Sequence, residues 1–441
     1  MAYFRLYLFL FCLKLVESKI LCELGFCEKH IREHGCPEPP IHCAVNNATH
    51  SGLWLPSPTL CNCCPYCLTF IEEGDHCSAG GPGTGANVGR CGDGLTCVRD
   101  DTDGHSYCRR MTSDCHTAQD NFDARLRSGQ VGALEHRPHC DGKGKFASFY
   151  CIPAHTCFCQ SEEGERIFGE VLNLGSSTER NMHCGCSRLS WKIKKSIQTG
   201  VRLPVLTPRC TADGNFHPIQ CIGNICYCVD TVTGIIEEGD GKEIDLDEEP
   251  VTELECYNPR LDFFPEFSRG EPPYQYTTPC LKDVTEKIDM FLQSIEDGFI
   301  VDYFNSFPEC KPDGTYGTVL ENSDGINEVE IRNEARYGRR NSEILGIFMK
   351  ICADQRGVQI KDYEAKPDTP EYEAMNCNCA QTSLVMADAL EKPVCCKNGN
   401  FRRIQCRRGM CRCVDTDGRQ VGTDSSDVTR LPCFTANWRD C

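Results

Sequence analysis

Apolar positions along the chain alternate between two patterns. One is helical: Leu281, Val284, Ile288, Leu292 and Ile295 recur every three or four residues, the spacing that gathers them on one face of an α-helix. Shorter stretches of the same kind occupy 116–128, 187–198 and 381–391. The other pattern follows each helix. An Asp-Gly or Asn-Gly turn (Asp213-Gly214, Asn398-Gly399) leads into a short strand, and a second strand runs through a Cys-x-Cys. Each unit therefore predicts one short helix on a small irregular antiparallel β-sheet, with the apolar stripe of the helix as module core.

The cysteines turn this alternation into a repeat with fixed offsets. Cys140 and Cys151, Cys210 and Cys221, and Cys395 and Cys406 are each eleven residues apart. Four residues after the first of each pair stands a glycine (Gly144, Gly214, Gly399), and two further on an aromatic (Phe146, Phe216, Phe401). A Cys-x-Cys follows (Cys157-Phe158-Cys159, Cys226-Tyr227-Cys228, Cys411-Arg412-Cys413), then a trailing glycine at Gly164, Gly234 or Gly418. Between 280 and 377, Cys310, Gly314, Tyr316, Cys352 and Gly357 keep these offsets, while Glu321 and Lys350 stand where two cysteines would fall. Joint loss of both members of one pair favours a damaged fourth copy over an unrelated domain with a chance match. An ion pair between Glu321 and Lys350 would fill the gap at little gain if exposed.

Composition sets the compartment. The 441 residues include 37 cysteines, 38 glycines and 24 prolines, a density that points to small cross-linked modules of low regular secondary structure rather than one large core. Arg5 and the apolar run Leu6 to Leu13, with small residues near Ser18, read as a secretory signal over 1–18. Its removal takes Cys12 with it and leaves an even number of cysteines. No later stretch reaches the length of a membrane span, so the expected location is secreted and extracellular. A net charge of −18 excludes general nucleic-acid binding. The Cys-x-Cys and Cys-x-x-Cys spacings also suit zinc, but an even count on a repeated ruler in a secreted chain favours disulfides. No metal, cofactor or catalytic residue is expected, since no Ser/His/Asp or Cys/His arrangement stands in a catalytic setting. Asn47-Ala48-Thr49 is a glycosylation acceptor.

Charge is uneven. Glu237 to Glu249 holds eight acidic residues and one lysine, a solvated loop pattern. Lys397, Arg402, Arg403, Arg407, Arg408 and Arg412 place six cations in sixteen positions without an acidic residue. This cluster reads equally as a site for sulfated glycosaminoglycan or as an ordinary solvated basic face.

Gln220-Cys221 with Cys226-Tyr227-Cys228-Val229-Asp230, and Gln405-Cys406 with Cys411-Arg412-Cys413-Val414-Asp415, resemble the thyroglobulin type-1 family, whose signature is Gln-Cys, Cys-Trp-Cys-Val and a trailing glycine. The resemblance implies pairing in order. That gives Cys115–Cys140, Cys151–Cys157 and Cys159–Cys184, then Cys186–Cys210, Cys221–Cys226 and Cys228–Cys256. The damaged copy would keep Cys280–Cys310 and Cys352–Cys377, and the last would have Cys379–Cys395, Cys406–Cys411 and Cys413–Cys433. Cys396 and Cys441 would tie down the tail. It further implies repeats over 113–184, 185–256, 280–377 and 378–434, with a tail at 435–441; the Pro/aromatic stretch 257–279, including Phe263-Phe264-Pro265, reads as a linker.

Residues 19–112 hold twelve cysteines, including Cys61-Asn62-Cys63-Cys64-Pro65-Tyr66-Cys67 and Cys91-Gly92-Asp93-Gly94-Leu95-Thr96-Cys97. Neighbouring Cys63 and Cys64 are expected to take different partners. This region resembles the amino-terminal domain of insulin-like growth factor binding proteins, with Leu60 and Asn62 in place of two glycines.

Two functions follow from these resemblances. In some type-1 repeats, the loop before the second cysteine and the loop between the third and fourth form a wedge that enters papain-like cysteine peptidases. The matching segments here are Val201–Arg209 with Ile222–Ile225, and Val131–His139 with Ile152–Thr156. The third-to-fourth loops are a residue or two shorter than in inhibitory members. The alternative is a carrier of an insulin-like or other growth-factor peptide, with a basic last repeat that attaches to glycosaminoglycan.

Overall fold

The computed structural model describes residues 26–36, 52–55, 63–64, 66–78, 89–198, 207–261, 272, 274–297, 308–322, 349–367, 369–386 and 391–437. The expected leader, Asn47 and Cys441 lie outside these residues. The chain forms two compact units, residues 1–116 with 140–144 and residues 117–139 with 145–441.

In the first unit, α1 (Phe26–His34) precedes β1 (Gly52–Leu55), β2 (Tyr66–Ile71), β3 (Gly89–Cys91), β4 (Leu95–Arg99) and β5 (Ser106–Arg110). β1 runs antiparallel and β3 parallel to β2, while β4 and β5 make a separate ladder. Disulfides stand in for a core: Cys27–Cys63, Cys36–Cys64, Cys77–Cys97 and Cys91–Cys108. Cys63 and Cys64 go to different partners, which leaves the peptide between them unstrained.

The second unit is built from helix-plus-sheet modules. The helices of eight residues or more are α2 (Asp114–Arg127), α3 (Gly185–Gln198), α4 (Pro279–Glu296) and α5 (Asn378–Val385); the first three residues of α2 lie in the other unit. The sheets, each three-stranded, are β6 (Phe149–Cys151), β7 (Thr156–Gln160) and β8 (Arg166–Leu172); β9 (Ile219–Ile222), β10 (Ile225–Cys228) and β11 (Glu243–Asp245); β12 (Val319–Asn322), β13 (Met349–Ala353) and β14 (Gln359–Ala365); and β15 (Ile404–Arg407), β16 (Met410–Val414) and β17 (Gln420–Ser425). All pair antiparallel. This is the fold class read from the sequence, small disulfide-rich modules with little regular structure.

The ruler has a physical cause. Each aromatic lies over its module's trailing glycine, so a Cβ on Gly234 or Gly418 would come within 2.7 Å of the Phe216 or Phe401 ring. Tyr316 covers Gly357 in the same way. The cross-strand pairs Cys151↔Cys157, Cys221↔Cys226 and Cys406↔Cys411 carry disulfides, and Glu321↔Lys350 occupies the same register in the third module. The Glu321–Lys350 ion pair does not form. The Lys350 ammonium lies 4.0 Å from the Tyr372 ring centroid and donates to the Tyr372 carbonyl at 3.3 Å, because the ring offers a cation–π face on the same side.

The remaining bridges are Cys115–Cys140, Cys159–Cys184, Cys186–Cys210, Cys228–Cys256, Cys280–Cys310, Cys352–Cys377, Cys379–Cys395 and Cys413–Cys433. Cys396 is also bridged. One residue separates Cys184 from Cys186 and Cys377 from Cys379, and both Cys184 (φ 59°) and Cys377 (φ 58°) are left-handed. The joints match beyond the covalent link: the amide of Glu170 donates to the Ala212 carbonyl at 3.0 Å, and that of Glu364 to the Lys397 carbonyl at 2.9 Å.

Three sequence expectations change. The last helix ends at Val385 rather than 391, with Met386 fully buried beneath it; the periodicity beyond Met386 falls on 387–390, outside the described residues. The stripe on α4 is not core along its length: Ile288, Leu292 and Ile295 are 42–52% exposed, since α4 outruns the described part of its module. The end of the expected linker is also not free. Tyr274 and Tyr276 pack on the core of Ile219, Val251 and Leu254, and the Tyr274 amide donates to the Leu246 carbonyl at 2.7 Å.

Candidate functional site

In two modules a glutamine ties the loop before the second cysteine to the strand that follows it. In the second module, Gln220 Oε1 accepts from the Arg209 amide at 2.9 Å, and its Nε2 donates to the carbonyls of Arg209 at 2.7 Å and His217 at 2.8 Å. In the last module, Gln405 makes the same three bonds, with the Val394 amide, the Val394 carbonyl and the Arg402 carbonyl, all at 2.8 Å. One carboxamide thus fastens the loop before the second cysteine to the strand that leads into the hairpin. Sequence reading noted both Gln-Cys pairs without assigning this task.

The hairpin of the second module turns on Gly223-Asn224, with Ile222 and Ile225 paired across it. Gly223 at φ 62° supplies the positive φ that a two-residue loop requires. Cys221–Cys226 closes the hairpin base, and the Asn224 carbonyl accepts from the Leu246 amide at 2.9 Å. Ile222 is 50% exposed at the tip. Of the neighbouring loop, 207–209 is described; Val201 and the residues up to 206 are not.

The corresponding loops of the first module are occupied by the last module. The Ala133 amide donates to Asp424 at 2.9 Å and the Leu134 amide to Gln420 Oε1 at 2.9 Å. Glu135 takes the Gly422 amide at 2.7 Å while pairing with Arg125 at 2.5 Å. Gly132 sits so close to β17 that a Cβ there would meet Gln420 Nε2 at 1.9 Å. In the second loop Ile152 is buried, and His155 packs on Phe401; burial and nearby Arg166 and Arg407 lower its pKa to about 4. At the signature Trp position, Phe158 is fully buried with the guanidiniums of Arg166 and Arg419 at 4.6 and 5.1 Å from its ring centroid.

The six basic positions do not form one free face. Arg412 pairs with Asp424 at 3.2 Å in a largely buried contact whose Nε–H is not aligned for a hydrogen bond. Arg407 pairs with Glu391 at 2.7 Å and also donates to the Ala154 carbonyl. Arg402 is half-buried, whereas Lys397, Arg403 and Arg408 are exposed. Among the described residues the one cluster with metal-like spacing is Cys77, Cys91 and Cys108; all three are in disulfides, so they hold no thiolate for a metal. No described helix is long and apolar enough to cross a membrane.

The family model of the thyroglobulin type-1 repeat matches residues 186–243 and 376–433. Thyroglobulin of Bos taurus is 33% identical over 104 residues, 23% of this chain but 4% of that protein. Equistatin of Actinia equina is 27% identical over 97 residues, 21% of this chain and 40% of its own length. Insulin-like growth factor-binding protein 4 of Mus musculus is 23% identical over 217 residues, 45% of this chain and 76% of its own length.

Proposed function

Starting from a chain that carries thyroglobulin type-1 repeats, we propose a secreted, non-enzymatic inhibitor of papain-like cysteine peptidases that acts through its second repeat. The observation that carries this reading is the exposed Ile222-Gly223-Asn224 hairpin, held beside 207–209 by Gln220 and a disulfide. A loop ordered before binding loses little conformational freedom on entering a cleft. The first repeat contributes no accessible wedge in the intact chain, because its loops are seated on the last module. In the last repeat, Arg407 is tied to Glu391 and Ala154.

The test is titration of the oxidised, thiol-free protein against a panel of papain-like cathepsins at mildly acidic pH. Tight one-to-one inhibition that falls at least tenfold in Ile222→Asp supports the second repeat as the wedge. Absence of inhibition across the panel overturns it.

The likeness to insulin-like growth factor-binding protein 4, across 76% of that protein, supports a second reading as a carrier of an insulin-like peptide. Saturable binding of such a peptide to the full chain, undisturbed by Ile222→Asp, would favour it. In either case Lys397, Arg403 and Arg408 are the cations available to a sulfated glycosaminoglycan. Charge reversal at Arg403 and Arg408 should lower the salt needed to elute the protein from heparin, and unchanged elution would remove that role.

A further inference from the structure

The first unit carries histidines that peptidase inhibition does not use. The run His30-Ile31-Arg32-Glu33-His34 lies on α1, and side chains four apart on a helix stand on one face. The ring centroids of His30 and His34 are 5.0 Å apart. Two imidazoles on one ion, each with a metal–nitrogen bond of about 2.0–2.1 Å, place their ring centres about 5 Å apart. His30 is half-buried and His34 exposed, so an ion can reach the pair from solvent. Sequence reading, led by the cysteines, expected no metal; this pair uses none of them.

A helix of nine residues is too short to persist alone, and a chelating pair on a fraying turn would lose its register. Here both ends are fixed. Cys27, in the first turn, is bridged to Cys63, and Cys36, just past the end, is bridged to Cys64. The helix is thus anchored at both ends to one dipeptide. Gly35, at φ 69°, closes the last turn, and its amide donates to the Ile31 carbonyl at 2.9 Å. One turn before His30, the Phe26 ring lies parallel to the His30 ring, with centroids 6.0 Å apart. The two imidazoles are therefore held near the bound geometry before an ion arrives, which lowers the ordering cost of binding.

We propose that His30 and His34 form a two-imidazole site for a late first-row divalent cation, Cu²⁺ ahead of Zn²⁺. That order follows the general affinity series, and imidazole does not select the hard ions Ca²⁺ and Mg²⁺. Among the described residues no third histidine, cysteine or carboxylate joins the pair within ligand reach. Water fills the other positions, and the site captures an ion with no hydrolytic chemistry assigned to it. His76 and His105 also approach, at 5.3 Å. They come from separate segments with no helix to hold their register, and His76 lies against Tyr107 at 4.5 Å. The α1 site does not depend on peptidase inhibition.

The test is calorimetric titration of the full oxidised, thiol-free protein with Cu²⁺ and with Zn²⁺. The tightest Cu²⁺ site should weaken at least tenfold in His30→Gln and in His34→Gln and stay unchanged in His105→Gln. Complete oxidation of each variant, read by mass, reports that Cys27–Cys63 and Cys36–Cys64 still close. His34→Gln combined with Arg32→His keeps the number of histidines but moves the second ring off the shared face, so binding should stay weak. Electron paramagnetic resonance of the protein with one equivalent of Cu²⁺ should show two imidazole nitrogens, and one in each single variant of the pair. No saturable Cu²⁺ binding, a tightest site indifferent to His30→Gln and His34→Gln, its loss in His105→Gln, or full recovery in the Arg32→His combination would overturn the proposal.

Discussion

Gln220 and Gln405 show how much one side chain settles. Each satisfies three backbone groups of a loop that has no ladder of its own. Gln405→Ala should therefore cost about 1–3 kcal/mol of stability, seen as a lower urea midpoint, and Gln220→Ala should also weaken any inhibition by the second repeat. Two histidines make stability depend on pH. Burial is the main cause that depresses the pKa of His217 to about 3 and of His155 to about 4, from an ordinary 6.5. The folded forms stay neutral where the unfolded chain binds protons. Stability is thus full above about pH 6.5 and falls toward pH 4 and 3, by up to about 1.4 kcal/mol per pH unit for each group. Urea midpoints at pH 7.5, 5.5 and 4.5 should decline, less steeply in His217→Gln; a flat profile would remove the argument.

At the scale of elements, the modules were legible because their signals are local. In each module the aromatic covers the trailing glycine, so one contact in space leaves a recurrent offset in the sequence. The third module was readable in the same way despite its missing cysteines, since Cys310↔Tyr316 bridges as Cys210↔Phe216 and Cys395↔Phe401 do. What replaces the lost bridge was not readable, because Tyr372 lies far along the chain from both Glu321 and Lys350. The shared register predicts that Glu321→Cys with Lys350→Cys forms a disulfide on oxidation, adding about 2–4 kcal/mol. Mass analysis after thiol labelling checks it, and two free thiols in the folded double variant would count against the register.

At the scale of the molecule, the sequence offered little. Leu134 and Gln420 are 286 positions apart, and no periodicity announces that one caps the other. Nor does the basic cluster announce that Arg412 is spent on Asp424 within the same sheet. The last module covers the loop at Ala133 and Leu134, and Gly132 sits tightest against it. Gly132→Val should force β17 away from the first repeat and lower stability by about 1–3 kcal/mol through overpacking. It should also raise the inhibited peptidase from one to two molecules per chain. Unchanged stability would mean that this contact is loose in solution.

The pattern of disulfides has one more consequence. Among the described residues no disulfide links the stretch ending at Cys310 to the stretch beginning at Cys352. With the Cys396–Cys441 pairing that the resemblance implies, the covalent mesh parts between β12 and β13, while strand pairing and the Glu170–Thr382 contact bridge the two sides. A protease cut within 323–348 would convert the chain into two fragments that remain associated, each already cross-linked internally. Such a nicked molecule should run as one species under native conditions and separate in denaturant without reductant, and the two fragments should recombine on dilution as a complementing pair.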